Sequence, residues 1–358
     1  MTTATVEMPD KKTSVPEEIL EQVSDRASLL DKGEDKTRTI FPEFGKHQLL
    51  GLGAPQNANS NLPDMARVIS DVAERCMSTA FSLWAHRMTI EYLSVAQTDY
   101  AASVLPGLVS GQTLGVTGMA SAFREAAGCG SLEITATETE DGYVLDGPIR
   151  WASNLYQDSL LVTAVRTDKG KRIIVALPLH TAGVTVGKPF SLLALDSTES
   201  TYITLDHLQI SKTQVLSTDF DAFITQVRPT FLVLQTALCV GLGTISHREA
   251  RTGLTGVNAV FSSEVETVGG RVSLVRNAML NNARAVGSHS SPSRQELLAM
   301  RLTGAEVATA AATLEAKTAG GKGYAKSSDS SRRFREAAFL PVQSPSEAQL
   351  RWELASCS

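Results

Sequence analysis

Trp151, Ser153 and Asn154 lie close together in the stretch YVLDGPIRWASNL, Tyr143 to Leu155. An indole, a hydroxyl and an amide at that spacing suit the rim of a flat, hydrogen-bonding cofactor such as a flavin. The first supplies apolar surface and the others supply donors. A tryptophan after a turn also belongs, and more commonly, in a core. Asp146-Gly147 reads as that turn, ending one β-rich run before the next begins. Farther on, Gly320-Gly321 either lets the backbone approach a ligand or caps a helix. Arg332 to Arg335 is a basic cluster that would meet phosphate, in a cofactor or a partner subunit, or form a solvated face. His86 sits in an apolar helical run, where a lone histidine is a cavity-lining donor or a satisfied core group.

The elements that must position these residues follow from periodicity. Pro16 opens a first helix, EEILEQVSDRASLL. Near Pro63-Asp64 another begins, with Met65, Val68, Ile69, Val72, Ala73 and Cys76 on one face. Ser78 to Leu93 reads as a buried helix carrying Trp84, His86 and Tyr92. The period then changes to alternation over Leu132 to Ala136, Leu160 to Val165, Arg172 to Leu177 and Thr201 to Leu205, which predicts half-buried strands. Turn signals fall at Asp141-Gly142, Asp146-Gly147 and Lys169-Gly170. After about Asp219 the helical period returns: Phe231 to Ile245 is nearly continuous apolar sequence, and Val272 to Ala285 and Gln295 to Lys317 are amphipathic. A last helix is expected from Ser346, as its cap, to Leu354.

The chain has 358 residues, is 42% hydrophobic and 20% charged, and carries a formal net charge of -5. This fits a soluble globular protein and argues against a dominant nucleic-acid surface. No apolar run reads as long enough to span a bilayer, so no membrane association is expected. The opening residues lack the apolar centre of a signal peptide. Four scattered cysteines and six scattered histidines show no metal-ligand spacing. No metal and a reducing, cytoplasmic setting are expected.

The order helices, strands, helices, together with these residues, resembles the acyl-CoA dehydrogenase superfamily over nearly the whole chain. Leu114 to Thr117 resembles the family's strand ending in a threonine that touches a flavin. Tyr143 to Leu155 resembles its turn and tryptophan motif, and Leu192 to Leu208 the strand leading out of its β domain. Gly320 to Tyr324 resembles its glycine loop, and Arg332 to Ala337 the arginine stretch beyond. The resemblance implies an α+β fold. After a disordered tail over 1–15 come an N-terminal helical domain over 16–113, a middle β-sandwich or barrel over 114–218, and a C-terminal four-helix bundle over 219–358. It implies FAD, with FMN as the alternative, held by Thr117, Trp151, Ser153, Gly320 and Gly321. It also implies a small-molecule substrate, a flavin reductase or electron-transfer protein as partner, and a homodimer or homotetramer.

Departures from the family pattern bear on the reaction. Family dehydrogenases remove a proton with a glutamate near the end of the chain; Gln343 stands at that position, and an amide is no base. The alternative base position on the first bundle helix is also empty, with no carboxylate from Ala222 to His247. Glu347 is a turn farther on and faces elsewhere. The loop Gly118 to Ser131 is longer than usual and carries Arg124 and Glu125. The family's arginine and phenylalanine-glycine grip is not recognisable over Arg251 to Phe261. Three functions remain: a flavin-dependent oxidoreductase acting on an acyl-CoA or similar small organic substrate, a reduced-flavin-dependent monooxygenase of the same fold, and a flavin-binding protein without catalysis. In the second, His86 would line a dry pocket.

Overall fold

The computed structural model describes residues 15–58 and 60–357. The expected tail over 1–14 lies outside the described residues. Val15, counted with that tail, is buried in the core instead.

Five helices come first: α1 (Glu17–Asp31), α2 (Phe41–Lys46), α3 (Leu62–Arg75), α4 (Met77–Ala96) and α5 (Asp99–Val109). The strand region holds β1 (Gly115–Gly118), a short α6 (Ala120–Ala126), β2 (Thr135–Glu138), β3 (Gly142–Ala152), β4 (Leu160–Thr167), β5 (Arg172–Pro178), β6 (Val184–Val186), β7 (Thr201–Ser211) and β8 (Val215–Ser217). Then follow α7 (Phe220–Thr252), α8 (Ser262–Ala285), α9 (Arg294–Tyr324), α10 (Asp329–Ala337) and α11 (Glu347–Ala355). Local chemistry sets the boundaries. Asn61 and Asp64 form a reciprocal cap on α3, Ser293 and Glu296 another on α9, and Ser346 accepts from Gln349 N–H to start α11.

The strands form one sheet in the order β6-β7-β3-β2-β4-β5-β8, with β1 parallel to the first half of β4. Alternation in β4 and β5 divides their side chains between two cores. Leu160, Val162, Ala164, Ile174 and Ala176 join the helical core. Leu161, Val165, Ile173, Val175 and Leu177 join a second core made only of strand-region residues. A sheet whose face is buried against its own strands has curled around that face, as in a barrel. Gly147 is not a turn. It lies inside β3, at a register shift against β7 between Leu145 and Gly147. Its φ is +134°, and a Cβ there would meet Glu133 O at 2.5 Å, so a glycine bulge bends the strand toward Trp151.

α7 packs most extensively on α9 and then on α3. The expectation that no apolar run could span a bilayer is corrected. Phe220–Thr252 and Arg294–Tyr324 pass by length and hydropathy, but 94% and 67% of their apolar windows are buried inside the protein. They are core helices.

Candidate active site

Where the strand layer meets the helices lies a cavity of about 490 Å³, in the range of small-molecule sites. The strand region contributes Thr117 at the end of β1, Trp151 on β3 and Ser153 just beyond it. The helices contribute Trp84 from α4 and Phe231 from α7, and the segment after α10 contributes Phe339 and Gln343. Four of the expected residues (Thr117, Trp151, Ser153 and Gln343) therefore share one cavity. Among the described residues, no Asp, Glu, His or Lys lines it.

On the strand side the polar groups are ordered by local bonds. The Thr117 hydroxyl lies 3.1 Å from the Tyr92 hydroxyl, and burial pushes the Tyr92 phenol up, so it stays protonated. Ser153 Oγ is 2.7 Å from Ser200 Oγ, which is 2.8 Å from Thr198 Oγ1, and Thr198 donates to Leu195 O at 2.7 Å. That ladder of hydroxyls holds Ser153 while leaving it on the cavity wall. Trp151 is 48% exposed and leans on Phe190, with ring centroids 4.7 Å apart. With Leu193 and Val342, both exposed, it forms an apolar mouth. Asn154 does not share the site. It sits at φ +63°, and its amide donates to Ser82 O and Gly115 O, tying α4 and β1 to the end of β3.

The helical side is aromatic. Phe81 stacks on Trp84 at 5.5 Å, Phe231 meets Trp84 edge-on at 5.0 Å, and Phe339 meets Phe81 edge-on at 4.8 Å. Behind them lies Gln343, 4% exposed, whose Oε1 accepts from Arg301 Nη2 at 3.2 Å. Arg301 also donates to Leu340 O at 2.9 Å and to Gln235 Oε1 at 3.3 Å. Gln235 in turn donates to Ser344 O, pinning the segment that carries Gln343. That segment is anchored at both ends. Arg335 pairs bidentately with Asp31 of α1, and Glu353 of α11 pairs with Arg228 of α7 and Arg294 of α9. Glu347 faces away, pairing with Arg351.

Two expectations are corrected. His86 does not line the cavity. It is fully buried, Nδ1 accepts from Gly115 N–H at 2.9 Å, and Nε2 donates to Leu108 O at 3.1 Å. Burial lowers its pKa to about 3, so it is a neutral clamp between α4, α5 and β1. The basic cluster is neither solvated nor free for phosphate. Arg332 pairs with Glu336, Arg333 with Glu315 and Arg335 with Asp31. Gly320 and Gly321 also stand apart from the cavity lining. Gly320, at φ +60°, kinks α9, and a Cβ at either glycine would meet open space. Sequence reasoning missed the aromatic cluster, the hydroxyl ladder and Arg301. The last left a trace: a cation on the apolar face formed by Leu297, Leu298, Ala305 and Ala308.

No family model matches the chain. Among curated proteins it is similar to an acyl-CoA dehydrogenase of Bacillus subtilis (strain 168), 23% identical over 211 residues, covering 56% of this chain and 55% of that protein. The chain's match thus spans only about half the length of that relative. It is also similar to the mitochondrial short-chain specific acyl-CoA dehydrogenase of Sus scrofa, 22% identical over 343 residues, covering 88% and 81%. Among solved structures, the glutaryl-coenzyme A dehydrogenase glutaryl-CoA complex superposes with a TM-score of 0.85 at 15% identity, covering 95% and 92%. Butyryl-CoA dehydrogenase from Megasphaera elsdenii gives 0.84 at 16%, covering 98% and 99%. PigA with FAD and proline gives 0.79 at 15%, covering 98% of both chains. The likeness to the acyl-CoA dehydrogenase superfamily therefore holds in sequence and in fold.

Proposed function

We propose, on the premise of an acyl-CoA dehydrogenase fold, that the chain is a flavin-dependent oxidoreductase that binds FAD in the cavity beside Trp151 and acts on an acyl-CoA or similar small organic substrate. The observation that carries this reading is the joining of Thr117, Trp151, Ser153 and Gln343, distant in sequence, in one cavity. The residues present fit a flavin ring. The lining carries hydroxyl, indole and amide side chains (Thr117, Ser153, Trp151 and Gln343) beside an aromatic wall, a set that suits a flat ring bearing acceptor oxygens and nitrogens. FAD supplies the electron acceptor; the chain supplies binding, orientation and a dry site. Trp151, Thr117 and Ser153 would hold the ring, and the aromatic cluster would exclude water from the substrate. Gly320 and Gly321, away from this cavity, serve the cofactor of a second copy in a homodimer or homotetramer. A flavin reductase or electron-transfer protein completes the electron path, in a cytoplasmic setting.

The wall also bears on the reaction. Proton removal from carbon needs a base, and among the described residues no carboxylate or imidazole lines the cavity. That favours, as the second reading, oxygenation with reduced flavin over acyl-CoA dehydrogenation. FAD-loaded protein tests the pair. Anaerobic bleaching of the flavin by a panel of acyl-CoAs would support dehydrogenation. Substrate-dependent oxygen consumption with NADH and a reductase is the outcome expected for oxygenation. In Gln343→Glu we expect FAD to stay bound and bleaching by acyl-CoA to rise on the order of 10²-fold or more. Loss of FAD from that variant would contradict the placement of residue 343.

A further inference from the structure

The hydroxyls on the strand side of the cavity have a fixed polarity that can be read from one end of their ladder. A serine or threonine hydroxyl has a single hydrogen to give. Thr198 Oγ1 lies 2.7 Å from the Leu195 carbonyl oxygen, which can only accept, so the Thr198 hydrogen is committed there. Ser200 Oγ, 2.8 Å from Thr198 Oγ1, must then be the donor of that pair. With the Ser200 hydrogen spent, the donor across the 2.7 Å contact to Ser153 is Ser153 itself. The Ser153 hydroxyl has no other partner among the described residues, and it belongs to the cavity lining. Expected from sequence to donate, it can only accept. Thr117 is the reverse. Tyr92 is fully buried, and among the described residues its phenol meets only the Thr117 hydroxyl, 3.1 Å away. A buried O–H without an acceptor is costly, so Tyr92 donates and the hydrogen of Thr117, also in the lining, stays available.

We propose that Ser153 discriminates between the redox states of the flavin: it accepts from a ring N–H that reduction creates, and Thr198 and Ser200 are positioning residues that keep it an acceptor. This deepens the flavin reading and rests on it for the identity of the ligand. An oxidised isoalloxazine presents mostly acceptors, its carbonyl oxygens and bare ring nitrogens. Uptake of a hydride equivalent, two electrons and one proton, turns a bare ring nitrogen into an N–H donor. Thr117, a donor, finds an acceptor on the ring in either state and anchors it without preference. Ser153 gains a hydrogen bond when the ring is reduced and meets another acceptor when it is oxidised. A difference of one such bond is worth about 10-fold in affinity. A site that holds the reduced ring more tightly suits the oxygenation reading, in which a reductase supplies it.

Spectroelectrochemical titration of the FAD-loaded protein, and of free FAD in the same buffer, reads the preference, because the change in two-electron midpoint potential on binding reports the ratio of affinities for the two states. The bound potential should lie about 30 mV or more above that of free FAD, the equivalent of reduced FAD binding about 10-fold tighter. Thr198→Val removes the hydroxyl at the far end of the ladder. Ser200 then turns its hydrogen to Ser153, and the Ser153 hydrogen is released toward the oxidised ring. That variant should bind FAD and lose the 10-fold preference, a fall of about 30 mV, whereas Thr198→Ser, which keeps the hydroxyl, should hold the wild-type potential. Ser200→Ala releases the same hydrogen and should lower the potential likewise, should the valine variant not fold. A bound potential at or below that of free FAD, which is also what an N–H present in both states would give, would overturn the proposal. So would a wild-type potential in both Thr198→Val and Ser200→Ala. Those outcomes leave the flavin reading standing; protein that takes up FAD in neither redox state would overturn both.

Discussion

Two buried arginines of the helical bundle, Arg333 and Arg301, solve the same problem differently. Arg333 on α10 meets Glu315 of α9 through three donor contacts, the shortest 2.6 Å, and both side chains are nearly inaccessible. Arg301, on nearly the same face of α9 as Glu315, is more deeply buried and, among the described residues, meets neutral acceptors. The first is a closed account of charge, with nothing left over for a ligand. The second leaves a net charge behind Gln343, a residue of the cavity lining. Geometry alone makes both look like internal clamps; counting charges shows that the first is neutralised and that the second, among the described residues, is not.

The comparison can be broken at its strongest point first. Arg333→Met leaves Glu315 as an uncompensated buried carboxylate and should cost about 3–5 kcal/mol of stability. Arg301→Met strands only neutral acceptors and should cost less, about 1–3 kcal/mol. Urea denaturation of both variants measures the gap, and equal losses would erase the distinction. On the cofactor side, Trp151→Ala removes apolar cover from the mouth and should weaken FAD binding by about 1–3 kcal/mol, read by fluorescence titration. Affinity equal to the wild type would place the ring elsewhere.

The last test concerns His86, a buried polar group whose two ring nitrogens are both satisfied. Its folded pKa is depressed to about 3, below the unfolded value of 6.5. Below pH 6.5 the unfolded chain therefore binds the extra proton. Its contribution to stability is complete above that pH and is lost as pH falls toward about 3, at no more than about 1.4 kcal/mol per pH unit. In His86→Gln that part of the acid slope should vanish from chemical denaturation run across pH 3–7. An unchanged slope would show that His86 is not the group responsible.

Much of the fold was legible because it is carried by periodicity. The buried run after Asp219 became α7, the alternation from Leu160 became β4, and Ser346 capped α11 as its side chain requires. Gly147 was misread because a glycine in a turn and a glycine in a bulge look alike in sequence; only the neighbouring Glu133 carbonyl tells them apart. Asn154 and the arginine cluster misled for a related reason. Their residue types suggest a ligand, while their partners lie far along the chain: Ser82 for Asn154, and Asp31 for Arg335. The Arg301–Gln343 contact spans 42 positions and could not be seen before the bundle was assembled.

The most direct test of the central claim is a crystal structure of the protein soaked with FAD. The account predicts the flavin ring in the cavity with its edge against Trp151 and Ser153 and with Gln343 facing the space left for substrate. A ring bound outside that cavity, or Gln343 turned away from it, would contradict the account.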